Sequence, residues 1–382
     1  MTAPLAGYVI LDLTHVLAGP FCTMSLSDMG AQIIKVEAPG TGDDTRAFPP
    51  FKDGKSAYFA GLNHGKKSIA LNLKGDEDRA IFERLLGRAD VIVENFRPGV
   101  MERLGYGWDE LHAAFPRLVY GAVSGFGHTG PDSKRPAYDI VVQARGGVMS
   151  ITGEKNREPV RVGASIGDIV AGMFLSQGIL AALLDRDRNG VGRKIDVSML
   201  DSQLAILEHA VALTTVNGKA PGPSGARHPS ISPFETFHAS DGLFVIAAGN
   251  DRLFEKLCIA LNLPISDDPR FATNNARCKH TRLLKRLIEA VTLDNTRAYW
   301  ISRLTAAGIP TGPIQDVAQV LKDPQIIARN MVVDVLDKNG RQAYKSAGNP
   351  IKMSDAPDPT TRGPAPDLDG NRGEILRWLE QG

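Results

Sequence analysis

A chain of 382 residues, 43% hydrophobic and 23% charged, has the balance of an ordinary folded globular protein and is long enough for two domains. Its 44 Lys and Arg stand against 43 Asp and Glu, so bulk charge draws in neither nucleic acid nor an anionic membrane, and any basic site must be local. Three scattered cysteines, Cys22, Cys258 and Cys278, exclude a disulfide framework and a zinc site and fit a reducing cytoplasm.

In chain order, the first four residues carry no basic n-region, so no secretory signal is expected. Residues 8–13 (YVILDL) form a short β-rich run. Gly19-Pro20 breaks the chain, and 21–30 follows as a helix. Cys22 beside that break reads as a buried structural thiol, since no His–Asn partner pattern accompanies it. Residues 32–37 (QIIKVE) and 68–73 (SIALNL) are the next strands. Residues 78–89 have helical spacing, 90–94 (DVIVE) are strand-like, and 117–123 (RLVYGAV) close the series. Strand, helix, strand at this spacing predicts an α/β fold with a mostly parallel, doubly wound sheet.

The strongest helix lies over 169–186, ended by Gly190 and Gly192. Its nearly apolar stretch, 169–184, is interrupted by Gly172, Ser176, Gln177 and Gly178. It falls short of a membrane span and reads as a buried helix. A strand over 194–198 and a helix over 199–214 follow. Residues 216–233, rich in Gly, Pro and Ser, read as a linker. Residues 234–247 look like a hairpin turning at Asp241-Gly242, and helices run over 252–261 and 279–293. The expected organisation is a large domain over 1–205, a linker over 206–228, a small α+β domain over 229–330 and a C-terminal segment over 331–382. That segment holds a Pro-rich stretch, 357–366, and a last helix, 373–380.

Thr14-His15-Val16-Leu17-Ala18-Gly19-Pro20 stands after the first strand where a dinucleotide enzyme carries GxGxxG, and P-loop, HExxH and CxxC patterns are absent. Two loops at strand or helix ends remain. Glu94-Asn95-Phe96-Arg97-Pro98-Gly99, with Arg103 a turn later, offers a ring for stacking and guanidiniums for phosphates; on the sequence alone a capped helix with solvated arginines is the favoured reading. Gly167-Asp168 opens the apolar helix. Asp168 is either a plain N-cap or a carboxylate beside N–H donors that stabilise charge on an acyl adduct.

Taken together, a run of motifs resembles the family III CoA-transferases, the group that includes formyl-CoA transferase, carnitine CoA-transferase and the α-methylacyl-CoA racemases. Near the N-terminus these are Leu11-Asp12-Leu13-Thr14-His15-Val16-x-Ala18-Gly19-Pro20, Ile34-Lys35-Val36-Glu37, Gly42-Asp43-x-Thr45-Arg46 and Asn63-x-x-Lys66-Lys67-Ser68-Ile69. Glu94 to Gly99, Gly192-Arg193-Lys194-x-Asp196-Val197-Ser198, Gly308-Ile309-Pro310-x-Gly312-Pro313 and Asp323-Pro324-Gln325 follow. The resemblance covers nearly the whole chain.

It implies a large Rossmann-like domain and a smaller α+β domain, a C-terminal segment returning to the large domain, and two subunits interlocked as a homodimer. It makes Asp168 the catalytic residue. It gives coenzyme A contacts to His15, Val16 and Ala18, to Leu71, Asn72, Leu73 and Lys74, to Asn95, Phe96 and Arg97 with Arg103, and to Arg135, Ala137 and Tyr138. The implied activity moves CoA from an acyl-CoA donor to a carboxylic acid, a dicarboxylate such as succinate among them, through a covalent aspartyl-CoA intermediate. Its partners are acyl-CoA and small carboxylic acids. No nucleic acid, membrane, metal or tightly bound cofactor is expected, and the location is cytoplasmic.

Two departures narrow the choice. The racemases keep a histidine base where this chain has Tyr138, and a phenol is a poor base at neutral pH. The oxalate-specific formyl-CoA transferases carry a glutamine where Leu17 stands, and a longer glycine-rich loop than Ala247-Ala248-Gly249-Asn250. The alternatives are an α-methylacyl-CoA racemase or isomerase and a catalytically silent CoA-binding protein. Arg227-His228 is a candidate for meeting a second carboxylate, or a pair of solvated linker charges.

Overall fold

Strands buried on both faces read as short, continuous apolar runs, and this chain supplies them at regular intervals. In the computed structural model, which describes residues 2–381, they form a six-stranded sheet. In chain order its elements begin with β1 (Val9–Asp12), α1 (Ala18–Asp28), β2 (Gln32–Glu37), β3 (Lys67–Ala70), α2 (Asp76–Leu86) and β4 (Val91–Glu94). They continue with α3 (Val100–Leu104), β5 (Val119–Ser124), α4 (Asp139–Arg145), α5 (Ile166–Asn189), β6 (Lys194–Ser198), α6 (Met199–Ala205) and α7 (Glu208–Asn217). Every pair in the sheet is parallel and the order is β3-β2-β1-β4-β5-β6. The order reverses direction beside β1, and in such sheets ligands sit at the strand C-termini near that point.

Alternate residues on each strand feed opposite layers. Ile10, Ile33, Val91, Val93 and Val119 pack with Cys22 and Leu26 of α1 and with Leu175 and Ile179 of α5. Leu11, Ile34, Ile92 and Tyr120 face the other way, onto Phe82, Leu85 and Leu86 of α2. Cys22 is fully buried and burial pushes its thiol far above the ordinary range, which suits a core residue and not a nucleophile.

Helix α5 is longer than the sequence suggests. Its 24 residues are long and apolar enough to cross a bilayer, contrary to the expectation from its apolar run. One face is nevertheless spent on α1, β5 and β6 within the core. Gly172 makes that closeness possible, because a Cβ there would lie 2.5 Å from the Ala18 carbonyl oxygen. Gly190 ends the helix in the left-handed region, φ 78°. The expected helix over 199–214 is broken at Ile206-Leu207, and part of the expected linker, Glu208–Asn217, is helical.

The chain divides into two units. The first holds the residues through Met149, Arg161–Ala220 and the stretch from Pro324; the second holds Ser150–Val160 and Pro221–Asp323. The sequence reading puts Ser150–Val160 with the large domain. In the second unit β7 (Phe234–Ala239) and β8 (Gly242–Ala247) form the anticipated hairpin. Helices α8 (Asp251–Leu261), α9 (Thr281–Thr292) and α10 (Arg297–Ala306) follow, with β9 (Thr311–Pro313) pairing β8. Phe237, Phe244, Phe254, Leu284 and Trp300 form their core. Buried Arg277 donates to the carbonyls of Ser232 and Phe271 and pairs with Asp251.

The C-terminal stretch belongs to the first unit. It adds β10 (Val332–Leu336), β11 (Gln342–Ala347), β12 (Thr361–Arg362) and α11 (Arg372–Glu380). It also covers the free edge of β3: Ser68 N–H donates to Asn371 Oδ1 at 3.0 Å and Ala70 N–H to Asp369 Oδ1 at 2.8 Å. Ile375 and Leu379 of α11 join the α2 layer.

Candidate active site

The first loop leaves β1 and enters α1 through Thr14 to Leu17, and buried charge fixes its path. Lys35 Nζ donates to the Thr14 carbonyl at 2.6 Å and pairs with Asp43 at 3.1 Å. Lys66 pairs with Asp12 at 2.8 Å. Burial pushes Asp43 up, but the Lys35 ammonium and the Thr45 donors outweigh it and hold the carboxyl below its usual range. Asp43 Oδ1 in turn accepts the Val16 N–H at 3.2 Å. Val16 has φ 67°, a left-handed conformation that costs a β-branched residue roughly 1–3 kcal/mol and persists only where its surroundings enforce it.

The second loop, after β4, is clasped to the first. Asn95 Oδ1 accepts the His15 N–H and Asn95 Nδ2 donates to the His15 carbonyl, both at 2.8 Å. The rings of His15 and Phe96 lie 5.6 Å apart. Together they divide two cavities. The larger, about 530 Å³, is lined by His15, Val16, Ala18, Asn95, Phe96, Arg97, Arg135, Ala137, Tyr138 and Asp168. The smaller, about 200 Å³, is lined by Leu71, Asn72, Leu73 and Lys74 with Leu13, Val36 and Leu104. Of the residues to which the resemblance gives coenzyme A contacts, Arg103 alone lines neither; it lies exposed on α3. Tyr138 is 76% exposed at the larger cavity.

Asp168 is not the cap of α5. That position is Ser165, and Asp168 lies in the first helical turn. Among the described residues its carboxylate has no hydrogen-bond or ion-pair partner, although it lines the larger cavity. Burial first, and the charge of Asp139 second, push its carboxyl up to about 7. Tyr58, half-buried, feels that carboxylate as well: burial and then the Asp168 charge raise its phenol.

Asp139 is the residue that motif reading missed. Its Oδ1 accepts the Gly167 N–H at 2.8 Å, so one of the donors expected to stabilise an acyl adduct is already taken. Its Oδ2 accepts from Gln143 Nε2 at 2.8 Å, and Gln143 Oε1 accepts the Val162 N–H at 2.9 Å. The approach to Asp168 is therefore pinned to α4 at two points. The signal available in the sequence was an Asp and a Gln four apart, one helical turn.

Two patterns in the chain have no matching context. Gly163-Ala164-Ser165-Ile166-Gly167 spells GxSxG, but no strand leads into it, as a nucleophile elbow requires. Gly125-Phe126-Gly127-His128-Thr129-Gly130 spells GxGxxG after β5, but no helix starts on it, as phosphate binding requires. Arg227 and His228 belong to the second unit, where Arg227 Nη1 donates to the His228 carbonyl at 3.0 Å.

The comparisons with known proteins agree with one another. The model of CoA-transferase family III matches residues 5–372. The acetyl-CoA:oxalate CoA-transferase of Acetobacter aceti is 46% identical over 376 residues, 98% of this chain and 95% of that protein. The succinate–glutarate CoA-transferase of Agrobacterium fabrum is 38% identical, over 99% of this chain and 96% of its own. The crystal structure of a CaiB/BaiF family protein from Brucella suis is 38% identical with a TM-score of 0.87, over 99% of this chain and all of that one.

Proposed function

The chain belongs to CoA-transferase family III and is a CoA-transferase, and from that premise we propose that Asp168 is its covalent nucleophile, exchanging CoA between an acyl-CoA and a small dicarboxylic acid. The observation that carries the reading is a half-buried carboxylate, unpartnered among the described residues, lining the same cavity as the Asn95–Arg97 loop. CoA enters with its adenine against Leu71, Leu73 and Phe96 and its phosphates toward Arg97 and Lys74. The pantetheine arm then follows the larger cavity to Asp168.

Ionised Asp168 attacks the thioester carbonyl, forming a mixed anhydride and releasing CoA thiolate. The thiolate attacks the aspartyl carbonyl, giving aspartyl-CoA and the first acid. The incoming carboxylate displaces the thiolate to form a second anhydride. The thiolate then takes the new acyl group and Asp168 is regenerated as carboxylate. Each step exchanges one acyl bond for another, so no ATP is consumed. The apolar body of α5 keeps water from the anhydride.

Dicarboxylates are chosen as acceptors because the relatives above are named for oxalate, succinate and glutarate. The working assembly is an interlocked homodimer. Its support is the row of exposed apolar side chains on α5, α6 and α7, including Met173, Leu184, Leu204 and Val216.

The test is an exchange assay pairing succinyl-, acetyl- and formyl-CoA with mono- and dicarboxylic acids, run beside Asp168→Ala. Transfer is expected to fall by at least about a thousandfold while CoA still binds. Hydroxylamine trapping during turnover is expected to mark Asp168 in a mass spectrum. Near-normal turnover in Asp168→Ala, or no mark on that residue, would falsify the covalent scheme.

A further inference from the structure

Beneath the Asn95–Arg97 loop lies a string of ionisable groups that the transfer steps do not use. Glu94, the last residue of β4, is buried. Its Oε2 accepts the Phe96 N–H at 2.7 Å, closing the turn that presents Phe96 to both cavities. Its Oε1 accepts the Tyr120 hydroxyl at 3.2 Å. Behind it stands His128, with Nε2 3.6 Å from the same Oε1. Among the described residues that Nε2 is buried without a hydrogen-bond partner. On the ring's other side Nδ1 lies 3.1 Å from Lys194 Nζ. An ammonium only donates, so Nδ1 accepts and the ring proton sits on Nε2, facing the carboxylate.

We infer that Glu94 is a positioning residue for acyl-CoA: its carboxylate fixes the Phe96 N–H, and Lys194 acts on that carboxylate through the His128 ring. The inference rests on the reading of the two cavities as the CoA site. Its physical basis is the difference between a charged and a neutral acceptor. A carboxylate holds an N–H about twice as strongly as a neutral oxygen does, so the Phe96 turn is tightest when Glu94 is ionised. Because Asn95 clasps His15 at both ends of its amide, the same bond steadies the first loop down to Ala18.

The groups facing this string come from every element around it. Burial first, with a smaller push from Glu102, outweighs the Phe96 N–H, the Tyr120 hydroxyl and Lys194 and raises Glu94 to about 7. His128 is held below its ordinary value by burial and then by Lys194, with Asp196 and Glu102 pulling the other way. Asp196 Oδ2 also accepts the backbone N–H of His128 at 2.9 Å. Glu94 therefore changes charge near neutral pH. CoA affinity is expected to be greatest above that midpoint and to weaken as pH falls through it.

The experiment measures CoA binding by titration calorimetry, and KM and kcat for the best acyl-CoA, from pH 6 to 8.5. It uses the full chain, Glu94→Gln and Lys194→Met. The 3′-phosphate of CoA titrates in the same window in all three, so the difference between proteins isolates Glu94. The wild-type Kd is expected to rise roughly threefold to tenfold more between pH 8 and pH 6 than that of Glu94→Gln. At pH 8 Glu94→Gln is expected to raise KM by a similar factor with kcat within about twofold. Lys194→Met, which keeps the carboxylate, is expected to move the midpoint to higher pH and covers the case in which Glu94→Gln fails to fold. Superimposable pH profiles for wild type and Glu94→Gln overturn the inference, as does a loss confined to kcat. An unmoved midpoint in Lys194→Met overturns the link through His128. Wild-type protein that binds no CoA at any pH overturns the site reading beneath it.

Discussion

At the scale of the residue, the proposed chemistry turns on Asp168, and the charge that acts on it comes from Asp139 on a different helix. Only the ionised form of Asp168 is nucleophilic, and its carboxyl is raised to about 7. The rate of transfer is therefore expected to climb from pH 6 to pH 8, read as kcat at saturating substrate. Asp139→Asn removes the charge that contributes to that rise and keeps an oxygen for the Gly167 N–H. Its midpoint is expected at lower pH, and an unmoved midpoint would sink the electrostatic account. The stability side has the opposite sign. An acid raised in the folded state costs nothing while it is protonated in both states, below about 4. The cost of ionising it buried grows through that interval and is complete above about 7. Asp168→Asn is thus expected to raise the melting temperature at pH 8 and leave it unchanged at pH 4. The local pattern of Gly-Asp before an apolar helix left Asp168 open between a cap and a nucleophile, and only the family resemblance gave it the catalytic part. Asp139, Gln143 and Glu94 were not legible in these roles, because each acts on a backbone N–H or a side chain that folding brings to it.

At the scale of the element, the parallel strands were readable from apolar runs, and most of their boundaries fall within two residues of expectation. Residues 68–73 are the instructive exception. The strand stops at Ala70, and Leu71 and Leu73 continue the apolar run because they line the smaller cavity. The break of the helix over 199–214 at Ile206-Leu207 has no local breaker, and the hairpin of β10 and β11 includes QAYKSA, too polar for a strand signal. Close approach of elements makes its own prediction. Gly172→Ala drives a methyl against the Ala18 backbone, which cannot turn aside, and is expected to cost roughly 1–3 kcal/mol with a loss of activity, since Ala18 lines the larger cavity. Gly178→Ala meets only the Ile195 side chain, at 2.7 Å, and is expected to cost less. Thermal melts of the two variants decide between a rigid and a yielding contact.

At the scale of the whole molecule, two questions go beyond a single site: how many chains assemble, and how one chain completes itself. Leu204 and Val216 are 58% and 82% exposed. On an isolated chain, charge at either position is nearly neutral for stability. Leu204→Glu with Val216→Glu is therefore expected to leave a monomer intact and to split a dimer, as read by light scattering and sedimentation. A second-chain interface on α5 to α7 is the reading under test. The resemblance made the returning C-terminal segment legible; its hydrogen bonds to β3 were not, since they pair residues 303 and 299 positions apart. That pairing has a consequence in time. On a ribosome moving at 5–20 residues per second, β3 emerges on the order of 15–60 s before Asn371 exists to cover it. For that interval the nascent sheet carries an open edge, the kind of surface that invites pairing with a neighbouring chain. The crowding of polysomes and the speed of translation thus bear on the yield of this enzyme.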